Sequence, residues 1–596
     1  MGRLSITAFA VALLCFPLVA APVPAGGKSK DVNDLPVAAN STVVIQLNGL
    51  DRSKGRLLKM LEPIDADLAK HAGGWFDEQM KELLEGRDLK GIDPNGRIFV
   101  AVGAFGDDPT SPPVAVSIPV PDYKTFREKF LTTAERKSFD GGKGGVDEIE
   151  FEPMNKPLYL VDNKSGYVTV TPNKELAESY ADKLKVLKAT DLGQVGDSFL
   201  AADVAVFVNL ARINELYGEQ IQQGKQFFNL MFQQGGMGLD PKQLQAAKTM
   251  FDGLFQVIED GKGFVIAVDA RPEGANLRLD LTVNADTPSA RVLANEKPSP
   301  LTVLNALPKG MNAYTASRWG KTFVEMQRLL GGEFAAPDGD DRLAEAIEAF
   351  SALTATASGE TVTLSGPGLS SLTATAFTDP AKVAEAKLKL MKKMTGGATY
   401  SNIILKQNPE VKEASQTHAG VKLSSVQIEV DYQAAVRNLP DETAKEAAIE
   451  AMKKLVPEKQ TIWFGSDATR YIQVSAKDWD TAKGLLDGFV APKAKVGDDA
   501  AFALTRKHLP DEAGFLSVVD TSGMIGTFGD YLGSMSGAIP APGFEMPKLG
   551  KVKGDPAYVG MAFTVRPQSA RFDLFVPAGA AKLMMKAVEE GQKEKE

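Results

Sequence analysis

Residues that carry acid–base or metal chemistry are few and widely spaced in this chain. It contains three histidines, His71, His418 and His508, and no HExxH pair. Because a zinc protease needs two histidines one helical turn apart, that kind of site is excluded. The single cysteine, Cys15, lies close to the N-terminus. Distant groups could still meet in the fold, so a Ser-His-Asp arrangement stays open.

Two segments resemble parts of catalytic motifs and lack a required residue. Gly533–Gly537 reads GSMSG, which places Met535 where a hydrolase elbow carries its serine. Trp319–Thr322 reads WGKT, like the end of a phosphate-binding loop, but Thr315 stands where that loop needs its first glycine. We interpret the first as a loop and the second as the junction between a strand and a helix.

Two further short segments are better explained as local structure. Gly366–Gly368 reads GPG and has no third glycine, so it predicts a turn. Asp338–Asp341 reads DGDD, and Ala349 occupies the position where a calcium loop needs glutamate. An acidic first turn of a helix explains it better. The sequence therefore nominates no catalytic, cofactor-binding or metal-binding residue, and we favour a non-catalytic protein without excluding an enzyme.

The N-terminus predicts export. Arg3 is followed by a mostly apolar run over Leu4–Ala21, which is typical of a signal peptide. We expect cleavage between Ala25 and Gly26, with cleavage after Ala21 or an uncleaved anchor as alternatives. A periplasmic, cell-envelope or extracellular location follows. Because Cys15 lies in this segment, the mature chain would be free of disulfides.

Charge and hydropathy exclude some partners. The net charge is −9 with no basic stripe, so a nucleic-acid partner is not expected. No later segment is long and apolar enough to predict a transmembrane span in the mature chain. A protein, lipid or envelope partner remains open.

Two pairs of segments suggest an internal duplication. Ile266–Pro288 and Met561–Leu583 both predict a strand, an Arg-Pro turn, a strand and the start of a helix. Leu158–Tyr180 and Ile462–Gly484 both predict two strands followed by a helix. The alternative is chance similarity between ordinary β-β-α units. The order of these units is the same in both halves, so we prefer duplication.

The fold class expected is α+β, with two similar lobes that each contain a curved antiparallel sheet backed by helices. The boundaries predicted are a signal peptide at 1–25, a flexible linker at 26–33, a first lobe at 34–296 with a helical hairpin inserted at about 213–260, a linker at 297–306, a second lobe at 307–590 and a tail at 591–596.

The inserted hairpin carries the candidate site. Its turn is predicted near Gly235–Pro241, between helices rich in phenylalanine and methionine. The candidate apolar contact surface consists of Phe227, Phe228, Met231, Phe232, Phe251 and Phe255. We expect Phe227, Met231, Phe251 and Phe255 to be mostly buried by packing. The alternative is an exposed face that contacts a lipid or a protein.

With its signal peptide, the start LPVAANSTVVIQLNGL and repeated β-β-α units, the chain resembles large exported bacterial proteins of unknown function. The resemblance implies an envelope or extracellular location and assigns no catalytic residue. Three hypotheses follow. The first is an exported non-catalytic binding or structural protein, the second a carrier of an apolar ligand or an envelope-associated protein, and the third a hydrolase with an unrecognised site.

Overall fold

A computed structural model describes most of the chain after the N-terminal segment. The described residues are 34–83, 87, 89–104, 112–140, 145–151, 156–182, 185–233, 241–318, 334–337, 339–366, 370–400, 403–437, 442–525, 549–550, 552 and 554–593. The chain divides into two compact units. Unit 1 contains the residues up to Arg291 and Gln568–Phe572, and unit 2 contains Val292–Pro567 and the residues from Asp573. The division falls just before the linker predicted at 297–306.

Unit 1 is built on antiparallel strands. They are β1 (Asp34–Ala38), β2 (Val43–Asn48), β3 (Arg97–Val102), β4 (Val114–Pro119), β5 (Val146–Phe151), β6 (Lys156–Asp162), β7 (Tyr167–Thr171), β8 (Val186–Lys188), β9 (Val204–Val208), β10 (Gly261–Arg271) and β11 (Gly274–Val283). The main sheet has the order β5-β6-β7-β4-β3-β2-β9-β10-β11. Strands β1 and β8 form a separate pair.

Helices fill the connections of unit 1. They are α1 (Leu50–Leu61), α2 (Ala66–Leu83), α3 (Tyr123–Lys129), α4 (Thr133–Ser138), α5 (Lys174–Ala181), α6 (Gly196–Ala201), α7 (Leu210–Gln233), α8 (Pro241–Asp260) and α9 (Pro288–Ala294), which crosses the division between the units. Polar side chains start several of them: Asp122 and Thr132 each accept a hydrogen bond from a backbone N–H in the first turn of α3 or α4.

Unit 2 is also built on antiparallel strands. They are β12 (Ala313–Ser317), β13 (Phe334–Ala335), β14 (Ala357–Ser365), β15 (Ser371–Phe377), β16 (Thr399–Tyr400), β17 (Ile403–Ile404), β18 (Glu410–His418), β19 (Val421–Glu429), β20 (Lys459–Ser466), β21 (Arg470–Ala476), β22 (Phe515–Asp520), β23 (Tyr558–Arg566) and β24 (Ser569–Pro577), whose first residues belong to unit 1. The main sheet contains the order β18-β19-β20-β21-β15-β14-β12-β22-β23. A small sheet has the order β13-β16-β17.

Unit 2 contains several helices, and most of them pack on this sheet. They are α10 (Asp341–Thr354), α11 (Pro380–Lys393), α12 (Tyr432–Val436), α13 (Glu442–Leu455), α14 (Trp479–Val490), α15 (Ala500–Lys507) and α16 (Ala578–Lys593). Asp340, from the DGDD segment, accepts a hydrogen bond from the Leu343 N–H at the start of α10. That segment therefore begins a helix, in keeping with its acidic first turn. Within the described residues, no helix combines the length and apolar composition needed to cross a membrane.

The central strands of each main sheet carry a hydrophobic core on one face, and further clusters with helices cover the other face near β5–β7 and near β19–β21. In unit 1, Val44, Phe99 and Val265 pack with Leu192 and Phe199 from the segment before β9. In unit 2, the core includes Tyr314, Leu364 and Leu516 from the sheet, Leu486 from α14 and Phe502 from α15. The protein is thus α+β, with large antiparallel sheets backed by many helices.

The two main sheets connect their strands in the same way around their centres. In unit 1 the central order is β7-β4-β3-β2-β9-β10, and in unit 2 it is β21-β15-β14-β12-β22-β23. Strand β18 is an additional strand at one end in unit 2. A shared strand order is what a duplication would produce, and the duplication itself stays a hypothesis.

Candidate functional site

The inserted segment of unit 1 is a pair of helices, α7 and α8, between strands β9 and β10. Their base is tightly joined. The Asn214 side-chain amide donates hydrogen bonds to the carbonyls of Ile258 (2.6 Å) and Glu259 (3.1 Å). A β-carbon on Gly261 would lie 2.5 Å from the Leu210 side chain, so glycine is what lets the start of α7 approach β10. The turn predicted near Gly235–Pro241 lies mostly outside the described residues.

Stacked phenylalanines hold the two helices together. The ring centroids of Phe228 and Phe251 are 5.0 Å apart, those of Phe232 and Phe251 are 5.4 Å apart, and those of Phe228 and Phe255 are 6.0 Å apart. Phe232 is buried, and Phe228, Phe251 and Phe255 are half-buried. Since Phe228 reaches residue 255 and Phe232 reaches residue 251, the two helices run antiparallel.

A second set of apolar side chains on the hairpin is exposed. The exposed fractions are 64% for Phe227, 55% for Leu230, 57% for Met250 and 54% for Leu254. The expectation that Phe227 is buried is therefore wrong, whereas Met231 is half-buried. The reason is rotation along the helix: one residue turns by about 100°. Phe228 faces α8, so its neighbour Phe227 points away from that contact.

These exposed residues share one side of the hairpin. Phe227, Met250 and Leu254 each precede a phenylalanine of the contact between the helices by one residue. Because the helices are antiparallel, the side chain one residue before a contact residue points to the same side of the pair on both helices. Leu230, three residues after Phe227, is its neighbour on the surface of α7. We call Phe227, Leu230, Met250 and Leu254 the hairpin patch.

The opposite side of the hairpin is polar. The Lys225 ammonium lies 3.0 Å from a carboxylate oxygen of Glu259, and the Gln222 amide donates to the same oxygen at 3.0 Å. Asn229 and Gln256, which follow the stacked phenylalanines by one residue, turn toward this side. The hairpin is therefore amphipathic across its two helices.

A larger apolar surface lies on the main sheet of unit 1, on the face opposite its core. Cross-strand partners place three residues from each of six neighbouring strands on this face. They are the alternate residues of Val114–Ile118, Ile98–Val102, Val43–Leu47, Val204–Val208, Phe264–Val268 and Leu277–Leu281, all of them Val, Ile, Leu or Phe. We call this surface the aliphatic face.

The aliphatic face is covered unevenly. At its centre, Ile45 and Val100 are buried, and their apolar cluster contains only strand residues in the described part of the chain. At one end, Leu57 and Met60 of α1 pack with Ala270. Most of the other positions are half-buried, and Ile266 is 36% exposed. Strands apolar on both faces are typical of sheets that are covered on both sides, so this face needs a cover.

The matching face of unit 2 has different chemistry. On β12, β14 and β15 the side chains opposite the core are mostly hydroxyls, which pair across the strands, whereas on β22 and β23 they are mostly apolar. Thr315 lies 3.0 Å from Ser517, Thr361 donates to Thr375 at 3.1 Å, and Thr363 lies 3.1 Å from Thr373. We call these residues, with Ser317, Ser365 and Ser371, the hydroxyl face.

Charged groups in unit 1 gather at one end of the sheet around Asp203. Its carboxylate lies 2.9 Å from Arg56 and accepts a hydrogen bond from the Ala270 N–H at 3.0 Å. Burial raises the pKa of Asp203 above its ordinary value, although Arg56 acts in the opposite direction. Nearby, Arg278 pairs with Asp269. Each carboxylate has a cation as partner, so the cluster ties α1, β9, β10 and β11 together.

The histidines are not brought together. His71 contacts the Asp67 carbonyl on its own helix, His418 lies 2.6 Å from Asp487, and the His508 ring stacks on Phe575 at 4.2 Å. Among the described residues, no group of His, Cys, Asp and Glu could hold a metal ion. Outside the described residues lie the Ala25–Gly26 cleavage site, the WGKT segment and the GSMSG segment.

Comparison with known proteins assigns no family to the chain. No protein-family model matches the chain, and no curated protein matches it. One solved structure, crystal form III of TP0453, is similar to it with 10% sequence identity and a TM-score of 0.22. The match covers 45% of this chain and 89% of the other. A likeness of that size supports no argument about function.

Sequence reasoning found the hairpin but missed the aliphatic face. The segments VAVFV of β9 and IFVAV of β3 are apolar at odd and even positions alike, and VVIQLN of β2 is apolar at every odd position. Such runs indicate strands with two apolar faces, and this signal would have predicted the second surface.

Proposed function

We propose that the protein is an exported, non-catalytic carrier that holds an apolar ligand against the aliphatic face of unit 1. The observation behind the proposal is the composition of that face, which has no polar side chain across six neighbouring strands. Export is inferred from the signal peptide that the N-terminal sequence predicts. A structural role and a hydrolase remain alternatives from the sequence, and no group of described residues favours the hydrolase.

The absence of hydrogen-bonding side chains on the face selects the ligand's chemistry. A peptide or sugar laid on it would lose hydrogen bonds to water and find none in return, which costs free energy. A hydrocarbon chain loses none and gains from leaving water. We therefore propose a long-chain acyl group as the ligand.

The dimensions of the face suit such a ligand. Six strands spaced about 4.8 Å apart span about 24 Å. An acyl chain in one leaflet of a bilayer occupies about 15 Å, which is half of a hydrocarbon core about 30 Å thick. One chain therefore fits across the strands.

Unit 2 supplies an internal comparison. Its central strands have the same order, yet on β12, β14 and β15 the matching face carries threonine and serine. This fold therefore does not by itself require an aliphatic second face. A specific role for that face in unit 1 explains the difference.

Titration with a fluorescent long-chain fatty acid tests the proposal. The double variant Val206→Thr with Ile266→Thr places two hydroxyls on the aliphatic face, where both residues are at least partly exposed. We expect binding at least tenfold weaker than wild type, because each added hydroxyl loses water on binding at a cost of about 1 kcal/mol. The matched control is Thr315→Val on the hydroxyl face, which should bind as wild type does. A wild-type protein that does not bind the fatty acid, or a double variant that binds equally well, would contradict the proposal.

A further inference from the structure

We propose that the hairpin patch docks this protein on the surface of a phospholipid bilayer. The patch is a second surface, distinct from the aliphatic face, and this inference does not depend on the proposed ligand.

The first argument is exposure. Each of the four patch residues leaves more than half of its surface in water. Taking roughly 200 Å² for a large apolar side chain, the patch exposes about 450 Å². The largest apolar patch on an ordinary monomer is of about this size, about 300–600 Å², and is often functional. The patch is thus large enough to mark a contact surface.

The second argument concerns what covers the patch. A stable contact between two copies of the chain needs about 800 Å² from each partner, which is well above this area. Docking on a bilayer needs less apolar area. A few side chains that enter the region between headgroups and acyl chains suffice when the opposite side of the hairpin is polar. The hairpin has that polar side, where Lys225 and Gln222 both bond to Glu259. The patch therefore fits a bilayer better than a second copy.

The third argument is charge. The stretch from Gln226 to Phe251 contains only Asp240, Lys242 and Lys248 as charged residues, a net charge of +1 in a chain whose net charge is −9. Helix α7 is kinked at Tyr217, and the 16 residues after the kink, up to its end at Gln233, span about 24 Å. Charges farther than about 8 Å from the membrane are screened at physiological salt. The charge near the patch therefore determines the electrostatic attraction to the membrane. An anionic bilayer thus attracts the hairpin, by about fivefold in affinity for one net positive charge.

Sedimentation of the full-length protein with phospholipid vesicles tests the inference. One set of vesicles is pure phosphatidylcholine and another contains phosphatidylglycerol. We expect the wild-type protein to bind both, with affinity about fivefold higher for the anionic set. The double variant Phe227→Gln with Leu254→Gln should bind at least tenfold more weakly to both, with an unchanged thermal transition because both side chains are exposed in the fold.

The matched control is Val490→Gln with Met584→Gln. These residues are also exposed apolar side chains, 45% and 41% exposed, and both belong to unit 2. This variant should bind vesicles as the wild type does. The inference is overturned if the wild type binds neither set of vesicles, or if the hairpin variant binds as well as the control. It is also overturned if the wild type forms a dimer in analytical ultracentrifugation that the hairpin variant cannot form. The fatty-acid titration in solution should be unchanged in the hairpin variant, so the two proposals can fail separately.

Discussion

The aliphatic face of unit 1 and the hydroxyl face of unit 2 occupy the same place in two sheets with the same central strand order. At the matching centres, Ile45 and Val100 face each other in unit 1, while Thr315 and Thr363 face each other in unit 2. In unit 1 these side chains are buried, whereas the threonines are half-exposed. The opposite faces of both sheets carry a core of ordinary composition.

This difference shows that sheets with the same strand order share an apolar core on one face, while the side chains of the other face can differ. The core faces are mostly apolar, because helices pack on them and exclude water. The second faces are constrained in this way only at their ends, where clusters with helices cover them. Threonine fits a strand as well as valine does, and its hydroxyl can pair across strands or with water. The chemistry of the second face therefore carries information about function.

The largest expected difference in stability between the two faces comes from placing a charged residue at the centre of each. Val100→Asp would bury a carboxylate among aliphatic strand residues, where it has no partner, and we expect a loss of at least about 4 kcal/mol in the free energy of unfolding. Thr363→Asp, at the matching position of unit 2, should cost about 1–2 kcal/mol, because Thr373 and water can hydrogen-bond to it. Urea unfolding measures both. Equal losses would show that the two faces do not differ in environment.

A smaller effect separates the two sides of the hairpin, the other apolar surface of unit 1. Phe251 stacks on Phe228 and Phe232, so Phe251→Ala leaves a gap between the helices. Because the ring is only half-buried, we expect a loss of about 2–4 kcal/mol. Phe227→Ala, with 64% of the side chain exposed, should change the stability by less than about 0.5 kcal/mol. Thermal unfolding of both variants checks this. Similar losses would mean that the patch is packed in solution.

Most strands and helices that the structure shows could be predicted from local patterns. The local patterns of two strands and a helix predict the bounds that the structure gives, namely Val204–Val208, Val114–Pro119 and Glu442–Leu455. Turn residues and periodicity suffice for this, because they act within a few residues along the chain. The hairpin was predicted for the same reason, from glycines between two phenylalanine-rich helices.

The environment of each face could not be predicted in this way. In LRLDLTV of β11, leucines alternate with polar residues, yet Arg278 and Asp280 are the buried residues and Leu277 and Leu279 are half-exposed. Long-range partners decide this: Asp269 pairs with Arg278 from the neighbouring strand. The exposure of Phe227 likewise depends on which turn of α7 meets α8. Such contacts join residues far apart in sequence, and a local pattern does not contain them.

The smallest expected effect is a difference in how two buried carboxylates respond to pH. Asp203 of unit 1 is held by Arg56 and by the Ala270 N–H, but burial dominates and raises its pKa. Asp499 of unit 2 is also buried. Burial alone would raise its pKa, yet hydrogen bonds from the Lys309 ammonium at 2.7 Å and from the Ala501 and Phe502 N–H groups hold it below its ordinary value.

The signs of the two contributions are opposite. For Asp203 the folded state binds its proton more tightly than the unfolded state, whose pKa is about 3.9. Its contribution to stability is therefore lost as the pH rises from about 4 through the folded pKa. For Asp499 the folded state holds the proton less tightly. Its contribution is complete above about pH 4 and is lost as the pH falls through the lowered pKa.

Urea unfolding between pH 3 and 7 of the wild type, Asp203→Asn and Asp499→Asn separates these contributions. The stability of the wild type relative to Asp203→Asn should fall as the pH rises above about 4. Its stability relative to Asp499→Asn should fall as the pH drops below about 4, because asparagine cannot ionise and keeps only the neutral hydrogen bonds. Profiles of wild type and Asp203→Asn that run parallel over this range would mean that burial does not dominate at Asp203. The prediction that Asp203 and Asp499 respond to pH in opposite directions would then be wrong.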